Sequence, residues 1–294
     1  MKSILNGAAV PGLMALGLVL PLSARLFDLS IGGAMGLSNL LVAWLLVNAG
    51  WGVIPAVVVT LLASVAMGLF NGVIVVGARI DSFIGTLATG ALFATIGSIL
   101  STETITGAQM NGAFGQIATV GIGGLTLPFF LALLVTLVLW FVQRYTVTGR
   151  QIYAVGFNDR GSNLIGIRTR RLSFVSLVVT GLIMGVAGVL LASSVNSGSP
   201  GIGDPYLLSA YAAAFLGSTQ FGGRFNAWGT LLAVILLQTG TNGLFLVGAP
   251  PWTQSMFSGL VLLLALGGSS LEQAIKVRSW IRAKGRSRVN AASS

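Results

Sequence analysis

Apolar stretches run almost without a break from Ile4 to Leu271, and few solvents accept the surface of such a chain. A bilayer-crossing helix needs about 20 predominantly apolar residues. Windows of that size fall near 4–24, 28–48, 51–74, 82–100, 123–143, 172–194, 205–222, 228–247 and 250–270. The 205–222 window is the weakest, being short and rich in small residues. The expected fold is all-α, a polytopic transmembrane helix bundle of about nine spans over residues 1–275, followed by a basic cytoplasmic tail at 276–294. Only 7% of the 294 residues are charged, against about 25% in soluble domains, which excludes a water-soluble fold.

Charge placement orients the spans. With the tail from Lys276 to Arg288 inside, walking back across the spans puts Arg224, the Arg144–Arg171 loop, Arg79 and Arg25 on the same side. Fifteen of the 16 cations are then cytoplasmic, as the positive-inside rule requires. Lys2 alone falls outside, and the exterior segments 101–122 and 195–204 carry only Glu103 and Asp204. An odd number of spans leaves the N-terminus outside, so one preceding helix is expected to be missing. Residues 1–24 also admit a signal-peptide reading, with Leu22-Ser23-Ala24 as cleavage site, but the apolar run is too long for one and holds Pro11 and Pro21.

The chain has no cysteine and no histidine, which removes thiolate nucleophiles, imidazole bases and nearly every transition-metal site. Its carboxylates, Asp28, Asp81, Glu103, Asp159, Asp204 and Glu272, stand singly without helical pairing. No enzyme constellation, metal site or cofactor is expected. The positive charge follows the membrane rather than a nucleic-acid partner. No G-x-x-x-x-G-K-[ST] phosphate loop is present, so any ATP-derived energy has to come from another chain.

The 41 glycines are about twice the average usage of 7%, and runs such as Gly181-xxx-Gly185 suit close packing of lipid-immersed helices. Others would mark unwound stretches lining a passage. Among in-span polar residues, Asn39, Asn71, Ser82, Thr86, Thr89, Gln238, Thr239 and Asn242 either bridge helices or face a solute. As a set, uncharged hydroxyls and amides suit a neutral polyhydroxylated solute, and all of these except Thr239 are the candidate translocation-path residues. Asp28 and Asp204 each precede an Asn-Gly pair at a similar interval, at Asn71-Gly72 and Asn242-Gly243, a spacing suggestive of an inverted repeat with broken or re-entrant helices. Asp28 is expected to cap a helix, and Arg79 is expected to pair with Asp81. Six tryptophans, from Trp44 to Trp280, fall mainly near span ends, as an aromatic belt requires.

The loop YTVTGRQIYAVGFNDRGSNLIGIRTRR, residues 145–171, mixes five arginines with Ile152, Tyr153, Val155, Leu164 and Ile165. A short helix over Ser162–Ile167 is expected, capped by Asn158, Asp159 or Ser162. It would either dock in a partner's groove or lie solvated beside anionic lipid headgroups.

Five stretches carry a resemblance: FDLSIGG (Phe27–Gly33), FNG (Phe70–Gly72), RIDSFIGTLATG (Arg79–Gly90), TGRQIYAVGFNDRGSNLIGI and LGSTQFGGRFNAWGT (Leu216–Thr230). Together they resemble the ribose-type permease family of bacterial ABC importers, in order and over nearly the whole chain. Two departures stand out: the usual first helix is absent, and Ala-Arg-Leu replaces a common Gly-Gly before Asp-Leu-Ser. The resemblance implies a multi-pass inner-membrane permease, homodimeric or heterodimeric, that docks on a cytoplasmic ABC ATPase subunit and receives its solute from an extracytoplasmic solute-binding protein. By analogy the segment from Gly149 to Ile167 is the coupling loop, with Arg150, Tyr153, Gly156, Asn158, Asn163 and Gly166 within it. The solute implied is a monosaccharide such as ribose, moved by alternating access. A stand-alone facilitator or channel, a permease for a nucleoside or amino acid, and a membrane scaffold remain as alternatives.

Overall fold

The computed structural model describes residues 1–219 and 223–267. The expected basic tail at 276–294, Trp280, Glu272 and the last residues of the 205–222 and 250–270 windows lie outside the described residues. Twelve helices in chain order suffice to place the site. They are α1 Lys2–Ser23, α2 Ile31–Val47, α3 Val53–Gly77, α4 Ser82–Leu100, α5 Gly115–Thr119, α6 Leu127–Tyr145, α7 Val147–Phe157, α8 Asp159–Leu164, α9 Thr169–Val195, α10 Asp204–Thr219, α11 Ala227–Leu246 and α12 Trp252–Gly267. The only strands among the described residues are Gly121–Ile122 and Leu125–Thr126, a small hairpin turning through Gly123 and Gly124, both at positive φ. The fold is thus a polytopic helical bundle, as the hydropathy requires.

Each of the nine windows contains one helix, but six helices, α1, α3, α4, α6, α9 and α11, are long and apolar enough to cross a membrane. α2 and α12 are shorter apolar helices and α10 has 16 residues. The boundaries shift for local reasons. The 123–143 window starts late because the hairpin occupies 121–126, and α6 opens only at Leu127, with Pro128 in its first turn. The 172–194 window lies within a 27-residue helix.

α1 and α9 form the inner pair. In each, 67% of the most apolar window is buried, against 28% for α3 and α6, whose outward faces are left to lipid. Pro21 illustrates how the chain manages a helix breaker at this depth. A proline has no N–H to offer the carbonyl four residues back, here that of Gly17, and the Thr180 hydroxyl on α9 donates to that carbonyl at 2.8 Å.

α2 is buried nearly all round, which marks a core helix rather than an amphipathic surface one. Its neighbours approach through glycines. A Cβ at Gly33 would fall on the Gly90 carbonyl of α4, and one at Gly203 on the Gly32 carbonyl, while Gly188 of α9 lies against Met35 and Ser38. At 1.5 Å per residue α2 is only about 25 Å long. Its start lies beside Gly90, eight residues and about 12 Å along α4 from Ser82, so the chain reaches it through an irregular segment, residues 24–30. The segment 196–203 enters from the opposite end, bridging to Ile105 at Gly198 and reaching Gly32 at Gly203 before α10 begins. Two helices of opposite direction, α2 and α10, therefore start next to one another inside the bundle.

Candidate functional site

The segment 24–30 has no ladder or helix to satisfy its backbone, and an unpaired N–H at this depth would be costly. Four successive N–H groups are each taken by a side chain. Ser82 Oγ accepts from Phe27 N at 3.1 Å, Tyr211 Oη from Asp28 N at 3.0 Å, Thr86 Oγ1 from Leu29 N at 2.9 Å and Asp28 Oδ1 from Ser30 N at 3.1 Å. Asp28 Oδ1 also accepts from Ser30 Oγ at 2.6 Å, so Asp28 closes a turn onto Ser30 and does not cap α2, contrary to the expectation from spacing. The chain of bonds continues sideways. Asn71 Nδ2 donates to Ser30 Oγ at 2.6 Å, and Thr89 Oγ1 donates to Asn71 Oδ1 at 2.6 Å. Asp28, Ser30, Asn71, Thr86 and Thr89 are all at most 3% exposed.

This network joins the FDLSIGG, FNG and SFIGTLATG stretches into one structure, with Tyr211 added from α10. Four of the candidate path residues, Asn71, Ser82, Thr86 and Thr89, are brought together here and have polar atoms bonded to protein. Asn39 lies elsewhere on α2 and tethers the other irregular segment: its Oδ1 accepts from Ser199 N at 3.0 Å. Gln238 and Asn242 form a third group on α11. Both are half-buried, and neither side chain has a hydrogen-bond partner among the described residues. Gln238 lines a cavity of about 20 Å³ with Pro11, Ser209, Thr241, Gln254 and Ser258, room for about one water. Thr239 is exposed and bonds back to Ile235 O.

At the arginine-rich end, α7 and α8 form a compact unit clamped to three spans. The Phe225 carbonyl is its anchor, accepting from Tyr153 Oη at 2.6 Å and from Gln143 Nε2 at 3.2 Å. Gln143 Oε1 accepts in turn from Ala227 N, at the start of α11. The Arg224 guanidinium carbon lies 5.8 Å from the centroid of the Tyr153 ring. Burial pushes the Tyr153 phenol up, only partly offset by hydrogen bonding and Arg224, so the hydroxyl remains a neutral donor. Gly149 packs on the Val142 carbonyl, and Gly156 packs on that of Ser23 at the end of α1 so closely that a Cβ would collide with it. Ile152 and Val155 are buried in the same contact, with Ile167 partly buried against it.

The short helix spans Asp159–Leu164 rather than Ser162–Ile167, because the Asn158 side chain caps it, accepting from Gly161 N at 2.9 Å. Gly166 follows at φ +86, a backbone conformation that ends the helix. Arg150 and Asn163 face solvent. Around the tip Phe157, Leu164 and Ile165 are 84%, 88% and 77% exposed. The expected Arg79–Asp81 pair does not form. Asp81 instead caps α4, its Oδ1 accepting from Phe83 N at 3.0 Å and Ile84 N at 3.3 Å.

Sequence reasoning missed Tyr211, Gln143, Ser23 and the Phe225 carbonyl. Tyr211 sits in the weakest window, one of two tyrosines there, and its alanine neighbours give no sign of a role. Gln143 carried a usable signal, being an uncharged amide at the end of an otherwise apolar run.

A bundle of lipid-length helices with two irregular segments meeting at its centre and a clamped polar unit at one end defines a membrane permease. The family described as branched-chain amino acid transport system / permease component matches residues 1–266, and the chain belongs to this permease family of ABC importers. It is 31% identical over 266 residues to the ribose import permease protein RbsC of Bacillus subtilis (strain 168), covering 90% of this chain and 82% of that one. It is 30% identical to the autoinducer 2 import system permease protein LsrD of Klebsiella pneumoniae, covering 92% and 82%. It is 27% identical to the xylose transport system permease protein XylH of Escherichia coli (strain K12), covering 95% and 86%. No solved structure gives a significant match.

Proposed function

We propose that the chain is the transmembrane permease subunit of a sugar importer in the bacterial inner membrane. It carries a monosaccharide such as ribose inward by alternating access, with a partner ATPase and an extracytoplasmic solute-binding protein and as one half of a permease dimer. The relatives named for ribose, xylose and autoinducer 2 support the sugar class. The arginine-rich end, with the tail beyond it, is the cytoplasmic one on this reading.

The observation that carries the mechanism is the clamped α7–α8 unit. A lever has to be rigid on the side of its load and sticky on the side of its motor. Tyr153 and Gln143 meet at the Phe225 carbonyl, and Gly156 seats α7 on the end of α1, so a push on α7 reaches α1, α6 and α11 together. The exposed Phe157, Leu164 and Ile165 supply an apolar tip for a groove in the ATPase. Gly149, Arg150, Tyr153, Gly156, Asn158, Asn163, Gly166 and Ile167 are accordingly the coupling residues. Gln238, whose amide has no partner among the described residues and lines a small cavity, is the path residue best placed to meet a hydroxylated solute, with Asn242 one turn further along α11. Asn71, Ser82, Thr86 and Thr89 hold the irregular segment whose repacking would open the passage.

The test is co-expression with candidate ribose-type ATPases, comparing the intact loop with a variant whose residues 152–167 are replaced by Gly and Ser. Loop-dependent co-purification, followed by ATP-dependent uptake of a sugar, is expected. Equal capture by the replaced loop, or solute flux through the chain alone, would contradict the proposal.

A further inference from the structure

Among the arginines at the α7 end, Arg224 and Arg150 are taken up by the coupling unit, which leaves the others without a role. They are not scattered. Arg25, Arg79, Arg160 and Arg170 line one cavity of about 610 Å³ between α7, the turn after α1 and the end of α3, with Asp159 as its one acid. Arg25 and Arg79 both adopt a left-handed backbone, at φ 59, in the two turns that border it. Four guanidinium groups around one opening would repel one another unless an anion joined them, and guanidinium favours phosphate oxygens through paired N–H donors.

The rest of the lining says where that anion comes from. Leu26, Val75, Val76, Val155 and Phe157 share the cavity with the arginines. The exposed residues Leu62, Leu69 and Val73 of α3 lie at helical spacing on one face that leads down to Val76. α3 ends there in a π-helical turn, Val73–Gly77, which widens the helix at the cavity wall. A soluble phosphate has no use for an apolar wall continuous with a lipid-facing stripe, whereas an anionic lipid uses both parts, with its headgroup on the arginines and its chains along α3.

We infer that this cavity binds the phosphate group of an anionic membrane lipid, at a site that borders the tip through Phe157 but leaves Leu164 and Ile165 outside it. Seated there, the lipid would tie α7 to the ends of α1 and α3 and stiffen the coupling unit.

The full chain, purified in neutral detergent, is exposed to phosphatidylglycerol, to phosphatidylcholine or to inorganic phosphate, and retained ligand is read by native mass spectrometry. Retention of phosphatidylglycerol over phosphatidylcholine by tenfold or more is expected. The pair Arg79→Gln with Arg170→Gln should weaken it about thirty-fold, each arginine near a headgroup contributing several-fold. Arg25→Gln with Arg160→Gln is the second pair should the first fail to fold, and Arg144→Gln, outside the cavity, should leave retention unchanged. Equal retention of the two lipids, or full retention in a folded double variant, would overturn the site. Arginine-dependent retention of inorganic phosphate without a preference for phosphatidylglycerol would overturn its assignment to lipid.

Discussion

Two irregular segments enter this bundle from opposite ends, and they are held in different ways. Residues 24–30 are tied by side chains: Ser82, Tyr211, Thr86 and Asp28 each satisfy one backbone N–H, and Asn71 and Thr89 brace Ser30. Residues 196–203 are held chiefly through the backbone, by the Gly198–Ile105 bridge and by close packing. Gly198 and Gly203 lie directly against the α2 backbone, and Asn39 supplies the side-chain tether at Ser199. The carboxylates differ in the same sense, with Asp28 buried and the corresponding Asp204 exposed. A side-chain network has defined alternative partners and rearranges in steps, whereas glycine packing transmits displacement directly. The first segment therefore suits a latch and the second a sliding contact.

The comparison breaks most severely at Gly203. Gly203→Leu places side-chain atoms on the Gly32 carbonyl and should destabilise the fold by about 3 kcal/mol or more, read as lost yield and a lower Tm in detergent. Wild-type stability in that variant would mean that the second segment is not packed as described. Asn71→Ala removes the two buried bonds that join Ser30 Oγ to Thr89 Oγ1, leaving these hydroxyls only their bonds to Asp28 and to the Thr86 carbonyl, and should cost about 2 kcal/mol. A Tm unchanged by Asn71→Ala would remove the latch. Asn39→Ala removes the bonds to Ser197 and Ser199 from a segment that glycine packing, the Gly198–Ile105 bridge and Thr104 also hold, and a smaller loss of about 1 kcal/mol is expected. If Asn39→Ala costs more than Asn71→Ala, the contrast between the segments is reversed.

Much of this arrangement was legible as a set of positions but not as a set of bonds. Asn71, Thr86 and Thr89 stand out in apolar windows, and the unusual Asp28 marks the first segment. Their partners lie 41 residues away for Ser30 with Asn71 and 183 for Asp28 with Tyr211, and no local pattern encodes such distances. Hydropathy windows also cannot see where a helix begins inside the bilayer. Leu26, Phe27 and Leu29 are as apolar as α2 itself, so residues 28–48 read as one span although helix starts only at Ile31. Likewise the orphan carbonyl that Pro21 leaves at Gly17 follows from the sequence, while Thr180 as its partner does not.

The smallest effect concerns the coupling clamp. Tyr153→Phe removes one of three donors to the Phe225 carbonyl while Gln143 and Ser23 keep theirs, so stability should fall by only about 1 kcal/mol. It should also change the alkaline limb. The folded Tyr153 phenol ionises above its unfolded value of 10.0, so the stability it contributes is complete below that pH and is lost as pH rises through the higher folded value. The stability gap between wild type and Tyr153→Phe should therefore narrow as the pH is raised above about 10, as read by unfolding at a series of pH values; a gap independent of pH would place the phenol in water.

The central claim is that ATP-driven motion enters through the α7–α8 tip and reaches the spans through the Phe225 clamp. The direct measurement is uptake of a panel of monosaccharides into proteoliposomes containing the permease with a partner ATPase and a solute-binding protein, comparing wild type with Phe157→Ser, Leu164→Ser and Ile165→Ser combined. ATP-dependent uptake is expected, reduced by at least about tenfold in the triple variant while the protein stays folded. Uptake that proceeds without ATP, or that survives in the triple variant, would contradict it.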